Sequence, residues 1–149
     1  MVWKDPVLYQ WDSSLETGYG KIDSQHKQLF EMVNKLIAAG SSGKGGDVVM
    51  EALDFLARYV IKHFSDEEQL QIDYEYPDYI DHKRKHDEFK VVVGELVQRL
   101  KTEGITEDLM EVVCNTIGSW LLEHIKGDDF RMASFVKDAD NASKSAVGK

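Results

Sequence analysis

The stretch VVMEALDFLARYVIKHFSDEEQLQIDYEYPDYIDHKRKH, residues 48–86, decides the fold. Val49, Leu53, Leu56, Val60, His63, Glu67 and Leu70 recur at alternating steps of four and three. That spacing keeps one face of a helix turned toward a partner helix. Tyr76-Pro77 then interrupts the pattern, because proline lacks the N–H that would continue it. The seam resumes at Tyr79, His82, His86, Phe89, Val93, Leu96 and Leu100. Two long amphipathic helices joined by a short turn must lie antiparallel.

Working outward, the same spacing appears twice more. Ile22, His26, Leu29, Val33 and Leu36 mark a helix over about 22–39, with Asp23 or Ser24 as its expected N-cap. The run Gly40-Ser41-Ser42-Gly43-Lys44-Gly45-Gly46 ends it. Met110, Val113, Ile117, Trp120 and His124 mark the last helix, which starts at Thr106 and runs to about Gly127. Thr106 can cap it, and Glu107 and Asp108 suit its positive end. The expected architecture is all-α: an up-down-up-down antiparallel four-helix bundle over residues 22–132. Residues 1–21 read as an N-terminal arm anchored by Trp3, Tyr9 and Trp11, with Pro6, Gly18 and Gly20 preventing a long helix. Residues 133–149 read as a polar, frayed tail.

Composition narrows the function. The chain has 149 residues and a formal charge of −9, without a basic stripe, so nucleic acid is not an expected partner. No apolar run approaches the ~20 residues that span a bilayer. The N-terminus carries Lys4 and Asp5 in place of an apolar leader, so the expected setting is the cytoplasm, with no membrane partner. The single cysteine, Cys114, lies among Val112, Val113 and Ile117 and reads as a buried, inert thiol. No protein partner is indicated.

All five histidines, His26, His63, His82, His86 and His124, fall on the four seams. With two of seven heptad positions on the seam, chance alone would do this roughly once in five hundred. The physical objection to chance is stronger. Five imidazoles and the carboxylate of Glu67 in one apolar core would each cost on the order of 2 kcal/mol unless partnered. A metal is the common partner that takes their lone pairs. His82 and His86 share a helix face, as do His63 and Glu67, while His26 and His124 come from the other two helices. Five nitrogens exceed the needs of one tetrahedral zinc. Imidazole and carboxylate without thiolate suit iron or manganese. Two metals need bridging acids: Glu67 and, just after His124, Asp128 or Asp129.

The stretches TGYGKIDSQH (17–26), HFSDE (63–67), HKRKH (82–86) and HIKGDD (124–129), with Trp3 and Trp11, closely resemble the bacterial members of the hemerythrin family. That resemblance implies a non-haem centre of two Fe ions. His82, His86 and His124 would hold one iron, and His26 and His63 the other. Glu67 and Asp129 would bridge both, with an oxo or hydroxo group as the third bridge. Three nitrogens and three bridging oxygens fill six positions; two nitrogens leave one open, where dioxygen would bind reversibly. Phe64, Trp120, Leu121 and Ile125 map to an apolar oxygen pocket. On a regular helix Asp129 lies about 140° from His124. The family spacing still favours Asp129 over Asp128, which then reads as a solvated surface acid, and Gly127 offers a place for the helix to deform. The implied role is oxygen carriage, not catalysis. A di-iron oxidase or peroxidase would carry paired Glu-x-x-His motifs, and no histidine here has Glu three residues before it. An iron-repair or nitric-oxide-response relative would resemble H-x-x-x-E on the last helix, where this chain has Asp128.

Overall fold

The computed structural model describes residues 8–42 and 45–147, with side chains through residue 143. Helices α1 (Gly20–Ser41), α2 (Gly46–Asp73), α3 (Tyr79–Glu103) and α4 (Glu107–His124) form the bundle. Each packs on two others: α1 on α2 and α4, and α3 on α2 and α4. That is the closed ring expected when short turns join successive antiparallel helices. A π-helical turn, Ile125–Asp129, leads from α4 into α5, Phe130–Val147.

The seams are buried almost throughout. Leu29, Val33, Leu36, Val49, Leu53, Leu56, Val60, Phe89, Val93, Leu96, Val113 and Ile117 form one continuous core. Cys114 is free and buried within it, and burial pushes its thiol up to about 12. Three seam positions differ from expectation: Trp120 on α4 is half-buried, and two more lie at the turn between α2 and α3. Leu70 and Tyr79 are only half-buried, and Gln71 and Tyr76 are buried in their place. The turn between α2 and α3 directs Tyr76 inward, and its N–H donates to the Gln71 carbonyl.

Capping follows the sequence at one helix and not at another. Thr106 accepts the Leu109 N–H at 3.1 Å and starts α4. Neither Asp23 nor Ser24 is the N-cap of α1, which is Tyr19. Asp23 sits inside the first turn and reaches back to accept the N–H groups of Thr17 and Gly18 and the Thr17 hydroxyl. At the end of α3, Gly104 takes φ +85°, a conformation cheap only for glycine.

Trp3 and Pro6 lie outside the described residues. The arm beyond them is strapped down by its backbone: the Tyr9 N–H donates to Asn34 Oδ1 and Asn34 Nδ2 donates to the Tyr9 carbonyl. The Tyr9 ring lies on α4 at Gly118, where a Cβ would fall 2.2 Å from Tyr9 Cζ. Trp11 meets Phe30 edge-on.

The C-terminal segment is not a frayed tail. Residues 133–147 continue α5. Met132 and Val136 are buried against Ile22 and Tyr76, Tyr74 Oη donates to Asp140, and Lys137 Nζ donates to the Thr17 carbonyl. Its apolar stripe is too short to stand out in a polar stretch. Among the described residues no helix is long and apolar enough to cross a membrane.

Candidate metal centre

The candidate ligands project into one level of the bundle. His26 comes from α1, His63 and Glu67 from α2, His82 and His86 from α3, His124 from the end of α4 and Asp129 from the π turn. All are buried. Their ligand atoms form two groups that share both acids: Glu67, His82, His86, His124 and Asp129; and His26, His63, Glu67 and Asp129.

The carboxylates divide their oxygens between these groups. In the three-histidine group, Glu67 Oε1 lies 3.2 Å from His86 Nε2 and 3.5 Å from His82 Nε2. Asp129 Oδ1 lies 3.1 Å from His82 Nε2 and 3.3 Å from His124 Nε2. In the two-histidine group, Glu67 Oε2 lies 3.0 Å from His63 Nε2 and 3.4 Å from His26 Nε2, and Asp129 Oδ2 lies 2.9 Å from His26 Nε2.

These atoms suit a cation better than one another. Both oxygens of Glu67 and of Asp129, and both nitrogens of His26, find no hydrogen-bond partner among the described residues despite the short distances. The groups point past each other toward common centres. His124 Nε2 lies 3.0 Å from both His86 Nε2 and His82 Nε2. Where Nδ1 carries the proton, Nε2 has only a lone pair, so such nitrogens cannot satisfy each other. At metal–nitrogen distances of about 2.1 Å, neighbouring donors at right angles would be about 3.0 Å apart.

An outer ring of partners fixes the imidazoles. His86 Nδ1 donates to Glu68 Oε2 at 2.9 Å, and His124 Nδ1 to Asp128 Oδ2 at 3.1 Å. His63 Nδ1 donates to Gln25 Oε1 at 2.7 Å, and Gln25 Nε2 donates in turn to Asp66. Such contacts set tautomer and ring orientation. Asp128 is therefore not a solvated surface acid: it holds His124 and is itself held by Lys85 and Arg131. Gln25 and Glu68 escaped the sequence reading because each is one position off a seam and acts across to another helix. Gln71, one turn beyond Glu67, is fully buried and neither amide atom finds a partner among the described residues. Its step of four from Glu67 was the available signal.

Charge follows the same layout. Burial alone drives the imidazoles toward neutrality, but the carboxylates of Asp129 and Glu67 reverse this. His26 and His82 are pushed up to about 9, and His124 to about 10. Burial likewise opposes ionisation of Glu67 and Asp129. The surrounding imidazoles outweigh it, His63 and His26 foremost at Glu67 and His124 at Asp129, and hold both acids below the usual carboxylate range. Without a cation, protons take its place between the acids.

The π turn explains how Asp129 reaches the centre. The Phe130 N–H bonds back five residues to the Ile125 carbonyl, which widens the turn and returns the fifth residue after His124 to the His124 side. Gly127 sits in its middle.

The four pocket candidates separate. Phe64 stacks on His86 at 3.8 Å between ring centroids, and half-buried Trp120 stacks on His124 at 4.4 Å and on Phe89 at 4.0 Å. Phe64 and Leu121 belong to the main core. Ile125 belongs to a separate cluster under the arm, with Leu15 and Phe30 and with Trp11 against it. Trp11, 6.3 Å from His26 between ring centroids, is a neighbour of the centre; the sequence reading used it as an anchor of the arm and as part of the family resemblance, without placing it there.

Comparison with known proteins identifies the family. The family model for the hemerythrin HHE cation binding domain matches residues 17–136. The chain is 33% identical to a myohemerythrin of Theromyzon tessulatum, over 88% of this chain and 96% of that protein. It is 35% identical to a bacteriohemerythrin of Stenotrophomonas maltophilia, over 88% and 83% respectively. A wild-type hemerythrin crystal structure superposes with a TM-score of 0.78 at 28% identity, covering 87% of this chain and 98% of that one. The chain belongs to the hemerythrin family.

Proposed function

We propose that this chain binds dioxygen reversibly at a non-haem centre of two Fe ions, with His82, His86 and His124 on one iron and His26 and His63 on the other. The observation that carries the reading is the division of the carboxylates. Glu67 and Asp129 each turn one oxygen to the three-histidine group and the other to the two-histidine group. With an oxo or hydroxo third bridge, the donors then count six on one side and five on the other. The position left open belongs beside His26 and His63. When reduced, the two irons together would supply the two electrons, one from each, that hold dioxygen.

The chain's own residues do the rest. Gln25, Glu68 and Asp128 keep the ring nitrogens aimed inward. Phe64, Trp120, Leu121 and Ile125 form the apolar surroundings that keep water and small anions from displacing the gas. Histidine-rich ligation, with no Glu-x-x-His pair, favours a binder over an oxidase.

Iron content and visible spectra test this together. The reduced protein should hold two irons per chain, gain an absorption band on aeration and lose it under inert gas. One metal per chain, or zinc alone after iron-replete expression, would sink the di-iron reading. A band that never reverses while oxygen is consumed would replace the carrier with an oxidase.

A further inference from the structure

The walls of the metal level differ in kind. Toward the main core stand Phe64, Phe89 and Leu121, all apolar and buried. Between α1 and α2 the wall opens into a solvent-facing pocket of about 180 Å³, lined among others by Lys21, Gln25, Asp66, Glu67, Gln69 and Asp73. Three carboxylates face the Lys21 ammonium there, and Asp66 also pairs with Lys62 at 3.2 Å, which leaves Asp73 and Glu67 as the acids without a lysine partner among the described residues. Glu67 belongs to this pocket although its side chain is fully buried, and neither of its oxygens has a partner among the described residues. Gln25 links the pocket to the centre, with one end on His63 Nδ1 and the other on Asp66.

A dissolved divalent cation and a dissolved gas need different routes into such a core. Stripping a cation of water in an apolar wall is prohibitive. It can advance only where oxygen donors replace its water in steps, and carboxylates are hard donors suited to such ions. A neutral diatomic gas needs no such donors. We propose that the pocket between α1 and α2 is the route by which a hydrated divalent cation reaches the buried ligands, with Asp73 and Asp66 attracting it and handing it to Glu67. This rests on the centre being a metal site, so the test reads the rate of loading separately from its extent.

Metal-free protein is mixed anaerobically with ferrous ion, and quenching of tryptophan fluorescence is followed by stopped flow, since Trp120 stacks on His124. Two variants change the pocket without touching a ligand: Asp73→Asn, and Gln69→Lys, which places a cation on its wall. Asp54→Asn, an exposed acid on α2 paired with Arg58, is the control. Local charge changes uptake rates by on the order of tenfold or more, so Gln69→Lys and the Gln69→Lys/Asp73→Asn double variant should load about tenfold more slowly. Final iron content should equal wild type, and Asp54→Asn should load normally. Rates equal to the control in every pocket variant would overturn the route while leaving the centre intact. Failure of the wild type to take up iron at all would overturn the centre and the route together.

Discussion

The two halves of the centre share their acids but not their supports. In the three-histidine half, charged partners hold two rings: Glu68 holds His86, and Asp128, pinned by Lys85 and Arg131, holds His124. Phe64 and Trp120 stack on the same two rings. In the two-histidine half, His63 rests on the neutral amide of Gln25, and His26 Nδ1 has no partner among the described residues. A carboxylate partner makes an imidazole a stronger donor to metal than an amide does. On the proposed function, the first half would hold its ion firmly and the second would leave its ion free to take a further ligand.

The largest expected effect erases the comparison. Glu67→Gln removes a charged oxygen from both halves at once, so iron should fall from two per chain to one or fewer, with helix content by circular dichroism largely kept. Unchanged iron content and oxygen spectrum would mean that Glu67 does not bridge. Next comes Ile125→Ala, which loosens only the side beneath the arm. Emptying a buried isoleucine costs about 2–5 kcal/mol, visible in urea denaturation. Autoxidation of the fully loaded protein in air should also quicken. Wild-type oxygen-release and autoxidation rates in a fully loaded variant would remove Ile125 from the oxygen pocket.

A finer test compares the supports themselves. Removing an outer partner typically weakens metal binding about 10–100-fold. Asp128→Asn should lie near the upper end and Gln25→Leu near the lower, each affecting one of the two irons in a chelator titration. Equal losses would abolish the proposed difference between the halves. The smallest effect is the pH response. His26, His82 and His124 bind protons more tightly when folded, so their contribution is complete below about 6.5, the unperturbed value. It is lost as pH rises through about 9 to 10. Metal-free protein should therefore weaken on going alkaline in this window. Loaded protein should weaken on going acid, because the metal requires those protons to leave. Parallel pH profiles for the two forms would contradict the exchange of protons for metal.

What the sequence disclosed follows from what is periodic. The seams of α1 to α4 repeat often enough to be read, and the candidate ligands lie on them, so their meeting at one level followed from the antiparallel arrangement. Gln25 and Glu68 were not legible, because their partners sit on a neighbouring helix and their own positions look solvent-facing on a helical wheel. α5 was missed because Met132, Ala133 and Val136 are few among polar neighbours. The choice between Asp128 and Asp129 could not be made from ideal helix geometry. In the structure both acids act, one on His124 from behind and one toward the centre.

The π turn after His124 amounts to one codon's worth of extra chain in an otherwise continuous helix. Each residue advances a helix by about 100°, so everything downstream is rotated by that amount. The same extra residue thus aims Asp129 at the histidines and turns Met132 and Val136 onto Ile22 and Tyr76. A one-codon deletion within 125–128 would misdirect the acid and expose the apolar face of α5 in a single step. The aim of Asp129 and the seating of the last helix therefore hang on the same inserted residue.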